Sequence, residues 1–168
     1  MDRVELQAVQ APLKERYRSE PEAAQVTLTA AATLGAEGIS CSVSTGRALV
    51  EAGLHPATGG TGLLACSGDM LLEALAACAG VTLRAVATAL GFDVAGSVLV
   101  EGDLDFRGTL GVAKEEKVAV GFTAIRVRFD LEHDLDDEQL ATLLRLTERY
   151  CVVQQTLAGG VPVDVQVV

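Results

Sequence analysis

The chain contains 168 residues, a length that fits one compact domain with its own hydrophobic core. Its 13 Lys and Arg residues stand against 23 Asp and Glu residues, and the net charge of −10 repels phosphate backbones and anionic membrane surfaces. We therefore expect neither nucleic acid nor a membrane as a partner. Apolar residues form 49% of the chain but aromatic residues only 4%, so the core must be built mainly from Ala, Val and Leu.

The N-terminal stretch favours a cytoplasmic protein. Met1 to Lys14 lacks a basic start followed by an apolar run, so we expect no secretory signal. The charged residues 11–24, APLKERYRSEPEAA, predict a short helix or arm. We accordingly divide the chain into an N-terminal arm, residues 1–24, and one domain, residues 25–168.

The next two segments alternate between apolar and polar residues, as half-exposed strands do. They are Gln25 to Thr33 and Ile39 to Thr45, and the sequence LGAEG between them supplies glycines for a turn. This pattern predicts a β-hairpin. A glycine-rich loop is expected from Gly53 to Gly62.

A long helix is predicted to begin at Ser67 and to end at Gly91. Ser67 can cap its first turn, where the carboxylate of Asp69 also suits the helix dipole. Residues at three- and four-residue steps form one stripe along it: Leu71, Leu75, Cys78, Thr82 and Val86. A second apolar stripe makes the helix apolar most of the way round, which predicts a central position in the fold. Two charged residues inside it favour a core helix over a membrane span: Glu73 and Arg84.

The C-terminal half predicts two longer strands, a second helix and a closing strand. Val94 to Phe106 and Val118 to Leu131 are expected to pair antiparallel. Asp134 is expected to cap the helix, whose stripe contains Leu140, Leu144, Thr147 and Cys151. The last strand is predicted from Val161 to Val168. The resulting order, α-β-β-α-β-β-α-β without a repeated βαβ unit, belongs to the α+β class.

Four cysteines, at positions 41, 66, 78 and 151, are the main chemical feature of the sequence. In a chain without an export signal they argue against a disulfide scaffold, which leaves buried or reactive thiols. Cys41 falls in a predicted strand and Cys66 just before a helix, so we interpret both as incidental. Cys78 and Cys151 each lie on an apolar helix face, where a thiol is either core packing or a reactive group.

Metal and cofactor chemistry find no support in the sequence. The cysteines and the two histidines show no Cys-x-x-Cys or His-x-x-x-His spacing, so no zinc site is expected. His55, in a loop, and His133, in a charged turn, are interpreted as surface residues. No flavin, haem or nucleotide motif is present, and we expect no cofactor.

The residues around the two helical cysteines resemble those of a known family. The run SGDMLLEALAACAGVTL (Ser67 to Leu83) follows the loop PATGGTG (Pro56 to Gly62), and ERYCVVQQTL (Glu148 to Leu157) carries the second cysteine. Together they resemble the OsmC/Ohr family of thiol peroxidases over roughly residues 25–168. The resemblance implies an α+β fold, with antiparallel sheets around two central helices, in an intertwined homodimer that builds two sites at its interface. It also implies that Cys78 is the peroxidatic cysteine and Cys151 the resolving one.

Three departures place the chain in a divergent OsmC-like branch. Ser67-Gly68-Asp69 stands where the family often has Pro-Glu-Glu, and only Asp69 keeps an acid there. Val152 stands where a proline often follows the second cysteine. The first hairpin turn, residues 34–38, lacks the arginine expected there.

A cation is expected beside Cys78, because this thiol lies far from the N-terminus of its own helix and apolar surroundings raise its pKa. Three arginines that precede the helix could supply it: Arg16, Arg18 and Arg47. The sequence does not choose among them, and all three could equally be solvated surface charges. Asp69 or Glu73 is expected to orient the arginine.

Two functions remain open at this point. In the first, Cys78 reduces a small organic hydroperoxide, Cys151 resolves the product as a disulfide, and an external dithiol resets the pair. In the second, the protein is a non-enzymatic dimer that binds a hydrophobic ligand or senses redox state. A zinc site is a much weaker third alternative.

Overall fold

The structure is a computed structural model that describes residues 2–5, 7–8, 10–11, 31–34, 40–44, 49–110 and 118–167. Of these, residues 31–34, 40–44 and 49 are described by their backbone alone. The chain divides into two compact units. One contains Ala74–Leu99 and the chain from Val127 onwards, together with the N-terminal residues, and the other contains Val100–Arg126 and the chain between Glu22 and Glu73. The predicted boundary after residue 24 lies outside the described residues and stays a prediction.

The N-terminal helical residues are 3–5, 7–8 and 10–11. They lie within the predicted arm of residues 1–24, but almost all of them precede the stretch 11–24 for which a short helix was predicted. Asp2 and Glu5 cap this helix reciprocally. The Glu5 amide donates to the Asp2 carboxylate at 2.8 Å, and the Asp2 amide donates to the Glu5 carboxylate at 2.9 Å. Two donors that the first turn leaves without helical partners are satisfied in this way.

A four-stranded sheet forms in the second unit, with the order β1-β2-β3-β4. Its strands are β1 (Ala31–Leu34), β2 (Ser40–Ser44), β3 (Leu49–Gly53) and β4 (Ala65–Cys66). β1 and β2 pair antiparallel, which confirms the predicted hairpin. β3 pairs antiparallel with β2 and parallel with β4, and the sequence analysis predicted neither β3 nor β4. The predicted glycine-rich loop contains a 3-10 turn at Pro56–Thr58.

The long helix α1 spans Ser67–Leu90, as predicted, and Gly91 follows it in the left-handed conformation with φ 75°. Its fully buried residues recur every four positions and form a single face: Leu75, Ala79, Leu83 and Ala87. Other faces are open within this chain, and Val81 is 72% exposed. By length and composition α1 could cross a membrane, but one such helix is weak evidence because the core helix of a soluble protein meets the same criteria.

Strands β5 (Val94–Leu104) and β6 (Phe122–His133) form a two-stranded sheet, as predicted. A close approach between them requires Gly96, whose φ is 131° and where a Cβ atom would lie 2.0 Å from the Asp130 carbonyl oxygen. A short helix, α2 (Phe106–Leu110), follows β5 and was not predicted. The predicted loop between the strands lies partly outside the described residues.

Two helices, α3 (Asp137–Tyr150) and α4 (Val152–Gly159), replace the single predicted one. The cap of α3 is Asp136 and not Asp134 as predicted. Asp136 accepts a hydrogen bond from the Gln139 amide at 2.8 Å, and the Gln139 side chain accepts one from the Asp136 amide at 3.1 Å. This capping box explains the difference, because Asp134 has no glutamine or glutamate three residues later.

The core of the first unit lies where α1, β5 and α3 meet. Its fully buried residues are Leu83, Ala87, Val94 and Leu143. Partly buried side chains pack around this cluster: Val86, Phe92, Phe129, Leu131, Leu135 and Leu144. The fully buried residues of this cluster are thus Leu, Ala and Val, as the composition predicted.

The predicted closing strand is wrong for residues 161–167, which form no strand in the structure. Val161, Val163, Val165 and Val167 are all exposed, from 60% to 101%. An isolated segment cannot satisfy the backbone groups of a strand, and the described residues of the single chain offer this stretch no neighbouring strand.

Candidate functional site

Cys78 lies in the middle of α1, beside the buried face of that helix. It is half-buried, and its neighbour Ala79 is fully buried. The helical spacing that predicted a stripe through Leu75, Cys78 and Thr82 therefore places the thiol at the edge of the packed face. The sulfur can therefore contact other residues of its unit and remain partly accessible to solvent.

Cys151 occupies the junction between α3 and α4 and is fully buried. It ends the first helix, where its amide donates to the Thr147 carbonyl at 3.0 Å. It also caps the second, where its carbonyl accepts from the Gln155 amide at 2.9 Å. The backbone of Cys151 is extended, with φ −72° and ψ 103°, and this turns the chain between the two helices.

Both thiols are free, and each shifts the pKa of the other, so the two residues are neighbours. Hydrogen bonding from four groups lowers the pKa of Cys78: the Val153 amide, the Cys151 thiol, the Thr82 hydroxyl and the Val152 amide. Two of these are amides of the first turn of α4. Amides in the first turn of a helix have no helical acceptor, so a sulfur anion is a suitable partner for them.

These contacts set the acidity of Cys78. Burial raises the pKa of this thiol, but the hydrogen bonds outweigh burial and hold the pKa below its ordinary value. No charged side chain of the described residues takes part in this shift. Cys78 is thus disposed to be a thiolate through neutral donors.

Cys151 shows the opposite shift. Burial raises the pKa of the Cys151 thiol, and the neighbouring Cys78 raises it further as a hydrogen-bond acceptor and as a negative charge. Hydrogen bonds from the Gln154 and Val153 amides only partly offset this. The two pKa shifts run in opposite directions, so Cys78 is the more acidic thiol of the pair.

A thiolate beside a protonated thiol is suited to two-step redox chemistry. The thiolate is the nucleophile, and a second sulfur within contact distance can condense with its oxidised form. No group of three or more His, Cys, Asp or Glu residues that could hold a metal ion occurs in the described part of the chain.

Comparison with known proteins agrees with this architecture. A sequence model of OsmC-like proteins matches residues 60–166, which is more than half of the chain and includes both thiols. The chain belongs to the OsmC-like protein family. The resemblance noted around Cys78 and Cys151 is thereby confirmed, and so is the α+β fold class.

Solved structures share the fold of this OsmC-like chain at low sequence identity. An OsmC-like protein from Mycoplasma pneumoniae is 17% identical, with a TM-score of 0.65 over 81% of this chain and 90% of that one. An organic hydroperoxide resistance protein, OsmC, from Legionella pneumophila is 20% identical, with a TM-score of 0.57 over 81% and 92%. An OsmC-like protein of unknown function from Vibrio cholerae is 11% identical, with a TM-score of 0.56 over 79% and 94%. No curated protein matches the chain.

The predicted site residues divide into three groups in this OsmC-like protein. Cys78 and Cys151 lie together in one unit. Asp69 lies in the first turn of α1, nine positions before Cys78 and about half a turn round the helix from it. The three predicted arginines, Arg16, Arg18 and Arg47, lie outside the described residues, so the activating arginine and its orientation by Asp69 or Glu73 stay predictions.

The remaining predicted positions are ordinary parts of the fold. Cys41 lies in β2, and Cys66 ends β4 immediately before α1. The His55 ring stacks on Phe106, with centroids 4.7 Å apart, and its Nδ1 accepts from the Ala57 amide. The half-buried His133 accepts from the Leu135 amide at 3.1 Å, so neither histidine is a simple surface residue.

Sequence reasoning missed the neutral donors at Cys78. Thr82 follows Cys78 by four positions, a spacing that brings side chains together on a helix, so this contact had a signal in the sequence. The amides of Val152 and Val153 had none, because no glycine or proline marks the break at Cys151.

Proposed function

We propose that this OsmC-like protein reduces organic hydroperoxides with Cys78 as the peroxidatic and Cys151 as the resolving cysteine, in defence against oxidative stress. The contact between two free thiols with opposite pKa shifts carries the proposal. The lowered pKa favours Cys78 as the attacking thiolate, and the raised pKa favours Cys151 as a neutral thiol during the first step. The organic hydroperoxide resistance protein of the same fold supports the choice of substrate class.

The first step breaks the O–O bond of the peroxide. The Cys78 thiolate attacks one peroxide oxygen, a sulfur–oxygen bond forms, and the other oxygen leaves as an alkoxide that takes a proton to become the alcohol. Cys78 is oxidised to a sulfenic acid, and the peroxide is reduced by two electrons. The hydrogen-bond donors around the sulfur favour the thiolate before attack.

The second step joins the two cysteines. The Cys151 sulfur attacks the Cys78 sulfenic acid, loses its proton and forms a disulfide as one water leaves. Cys78 is thereby protected from irreversible oxidation. An external dithiol then restores both thiols by exchange and becomes a disulfide itself.

The site is proposed to work in a cytoplasmic homodimer. Apolar side chains that one chain leaves open support this, including Val81 on α1 and the alternating valines of residues 161–167. A second copy of the chain would cover apolar surface of this kind.

Thiol counting separates the peroxidase from a protein that only binds a hydrophobic ligand. One equivalent of cumene hydroperoxide should remove two titratable thiols from the reduced protein, with mass spectrometry locating the new bond between Cys78 and Cys151. A dithiol should restore them. Loss of no thiols, with cumene hydroperoxide recovered intact, would leave ligand binding as the better function.

A further inference from the structure

We propose that a cavity in the second unit, beside the start of α1, binds a small neutral aromatic molecule with one hydrogen-bond acceptor, such as an aryl ketone. The cavity has a volume of about 370 Å³, at the lower end of the range of ligand sites. All of its lining residues belong to the unit that contains neither Cys78 nor Cys151. The inference therefore goes beyond the proposed function and assigns a separate site.

Four segments form the walls of this space, which we call the α1 cavity. They are the end of β3 with the 3-10 turn, the start of α1, the end of β5 with α2, and the start of β6. Half-buried Leu104, Phe106 and Phe122 lie among the lining residues, together with Leu54 and Leu71, which are each 37% exposed. A bound molecule would remove this apolar surface from water. An aromatic ring suits it, because the two phenylalanine rings can pack edge-on or offset against another ring.

Gly68, in the first turn of α1, keeps part of this space open. A Cβ atom at this position would lie 3.5 Å from the Phe122 ring, 3.6 Å from the Cys66 sulfur and 3.7 Å from the Leu104 side chain. These are ordinary contact distances, so a methyl group would fit without strain. A larger side chain would have to enter the α1 cavity or displace its walls.

The lining selects against a charged ligand. None of the 14 described residues that line the α1 cavity is Asp, Glu, Lys or Arg, although these four types form 21% of the chain. An ion that left water here would find no opposite charge among them, and burying an unpaired charge costs free energy. The lining therefore favours a neutral molecule.

His55 supplies a donor for the acceptor of the ligand. Its ring stacks on Phe106 with an interplanar angle of 16°, and its Nδ1 accepts from the Ala57 amide at 3.1 Å. In a neutral imidazole the proton then lies on Nε2, and the hydrogen bonds of the described residues do not use this N–H. The hydroxyls of Thr58 and Thr109, by contrast, already donate to backbone carbonyls. An acceptor oxygen on the ligand would satisfy the imidazole N–H.

Three probes with the same ring test the chemistry of the site: acetophenone, ethylbenzene and benzoate. Ligand-observed NMR at neutral pH measures their affinities. Acetophenone should also protect Cys66 from alkylation, because this half-buried thiol lies in the cavity wall, and mass spectrometry resolves it from the other three cysteines. Ethylbenzene lacks the acceptor and should bind roughly threefold to tenfold more weakly. Benzoate is charged and should neither bind nor protect Cys66.

Three substitutions test the position of the site, with circular dichroism as the check on folding. Gly68→Val should weaken the binding of acetophenone roughly tenfold or more, because its side chain competes for the cavity. Gly159→Val is the matched control at the end of α4, where an added Cβ atom meets open space, and it should bind like wild type. His55→Phe should remove the preference for acetophenone over ethylbenzene.

The outcomes are independent of peroxide chemistry. Wild-type affinity for acetophenone in folded Gly68→Val would overturn the proposed site. Should Gly68→Val not fold, the probes on wild-type protein still decide: unchanged alkylation of Cys66 at saturating acetophenone, or equal protection by benzoate, would overturn the proposal. Wild-type protein that consumes no cumene hydroperoxide but binds acetophenone with protection of Cys66 would end the proposed function and leave the α1 cavity as a binding site.

Discussion

Cys78 and Cys151 both carry a thiol, but their surroundings favour different charge states. Those of Cys78 favour the thiolate, and those of Cys151 favour the neutral thiol. Donors surround the Cys78 sulfur, whereas Cys151 is fully buried and faces the negative charge of its neighbour. The local structure therefore supports the proposed roles of the two residues.

This asymmetry predicts the pH dependence of Cys78. Because its pKa lies below the ordinary value of a cysteine, alkylation of Cys78 should rise with pH and level off earlier than that of an unfolded cysteine peptide. Removing the Cys151 donor in Cys151→Ala should move the midpoint of Cys78 upwards, since that hydrogen bond lowers its pKa. A wild-type midpoint at or above that of the peptide would contradict the assignment.

The two cysteines should also differ when they are replaced. Cys78→Ser should abolish peroxide consumption, because it removes the thiol proposed to attack the O–O bond. Cys151→Ser should permit one turnover and then stall with Cys78 oxidised, because resolution is lost. Stopped-flow measurement of peroxide consumption with a dithiol present checks this. Normal turnover by Cys151→Ser would show that an external thiol resolves Cys78 directly.

At the scale of the residue, the sequence allowed the thiols to be predicted but not their activation. Helical spacing placed Cys78 and Thr82 on one stripe, and the resemblance paired Cys78 with Cys151. The amides that lower the pKa of Cys78 lie at the start of α4. No glycine or proline marks the helix break at Cys151 in the sequence. The sequence therefore pointed to a charged side chain and gave no sign of backbone donors.

At the scale of the element, the start of α4 acts as a group of donors. Val152 is its first residue, a position where proline fits a helix because the amide there has no helical acceptor. Val152→Pro should keep α4 but remove one donor to Cys78 and raise the pKa of that thiol. The rise should be smaller than that caused by Cys151→Ala, since the Val152 amide contributes least. Val152→Ala keeps the amide and is the matched control in the same alkylation measurement.

The capping box of α3 gives a second prediction at this scale. Asp136→Ala should destabilise the protein by about 1 kcal/mol, because it removes the acceptor for the Gln139 amide. Asp134→Ala removes the same charge two residues earlier, where no such acceptor role exists, and should have little effect. Urea unfolding of both variants measures the difference. Equal losses would attribute the effect to charge and not to the cap.

The elements that the sequence predicted well are those whose pattern is local. α1, β5 and α3 have long periodic stretches or clear end signals, and the structure differs from the prediction at their ends by a few residues. β3 and β4 contain only five and two residues, and no periodic pattern marks them in the sequence. The predicted strand Val161 to Val168 has the right alternation but finds no pairing partner among the described residues.

At the scale of the whole molecule, the unpaired C-terminal segment is the main reason to expect a second copy. Val163 and Val165 are 83% and 86% exposed, and in an extended chain residues two apart lie on the same side. Pairing with another chain would satisfy both the backbone groups and this apolar side. We predict a dimer at micromolar concentration that does not separate into folded monomers.

A matched pair of substitutions tests whether the valine side of this segment lies in the dimer interface. Val165→Lys places a charge on that side and should weaken dimerisation by roughly tenfold or more, because an unpaired charge in an apolar contact costs free energy. Gln166→Lys adds the same charge on the opposite side, beside Asp164, to whose carboxylate Gln166 donates at 2.6 Å. It should leave the dimer intact. Sedimentation equilibrium with circular dichroism distinguishes dissociation from unfolding, and a folded wild-type monomer would contradict the dimer itself. If wild-type protein is dimeric and both variants dimerise equally well, the interface lies elsewhere, and the open faces of α1 become the surface to test next.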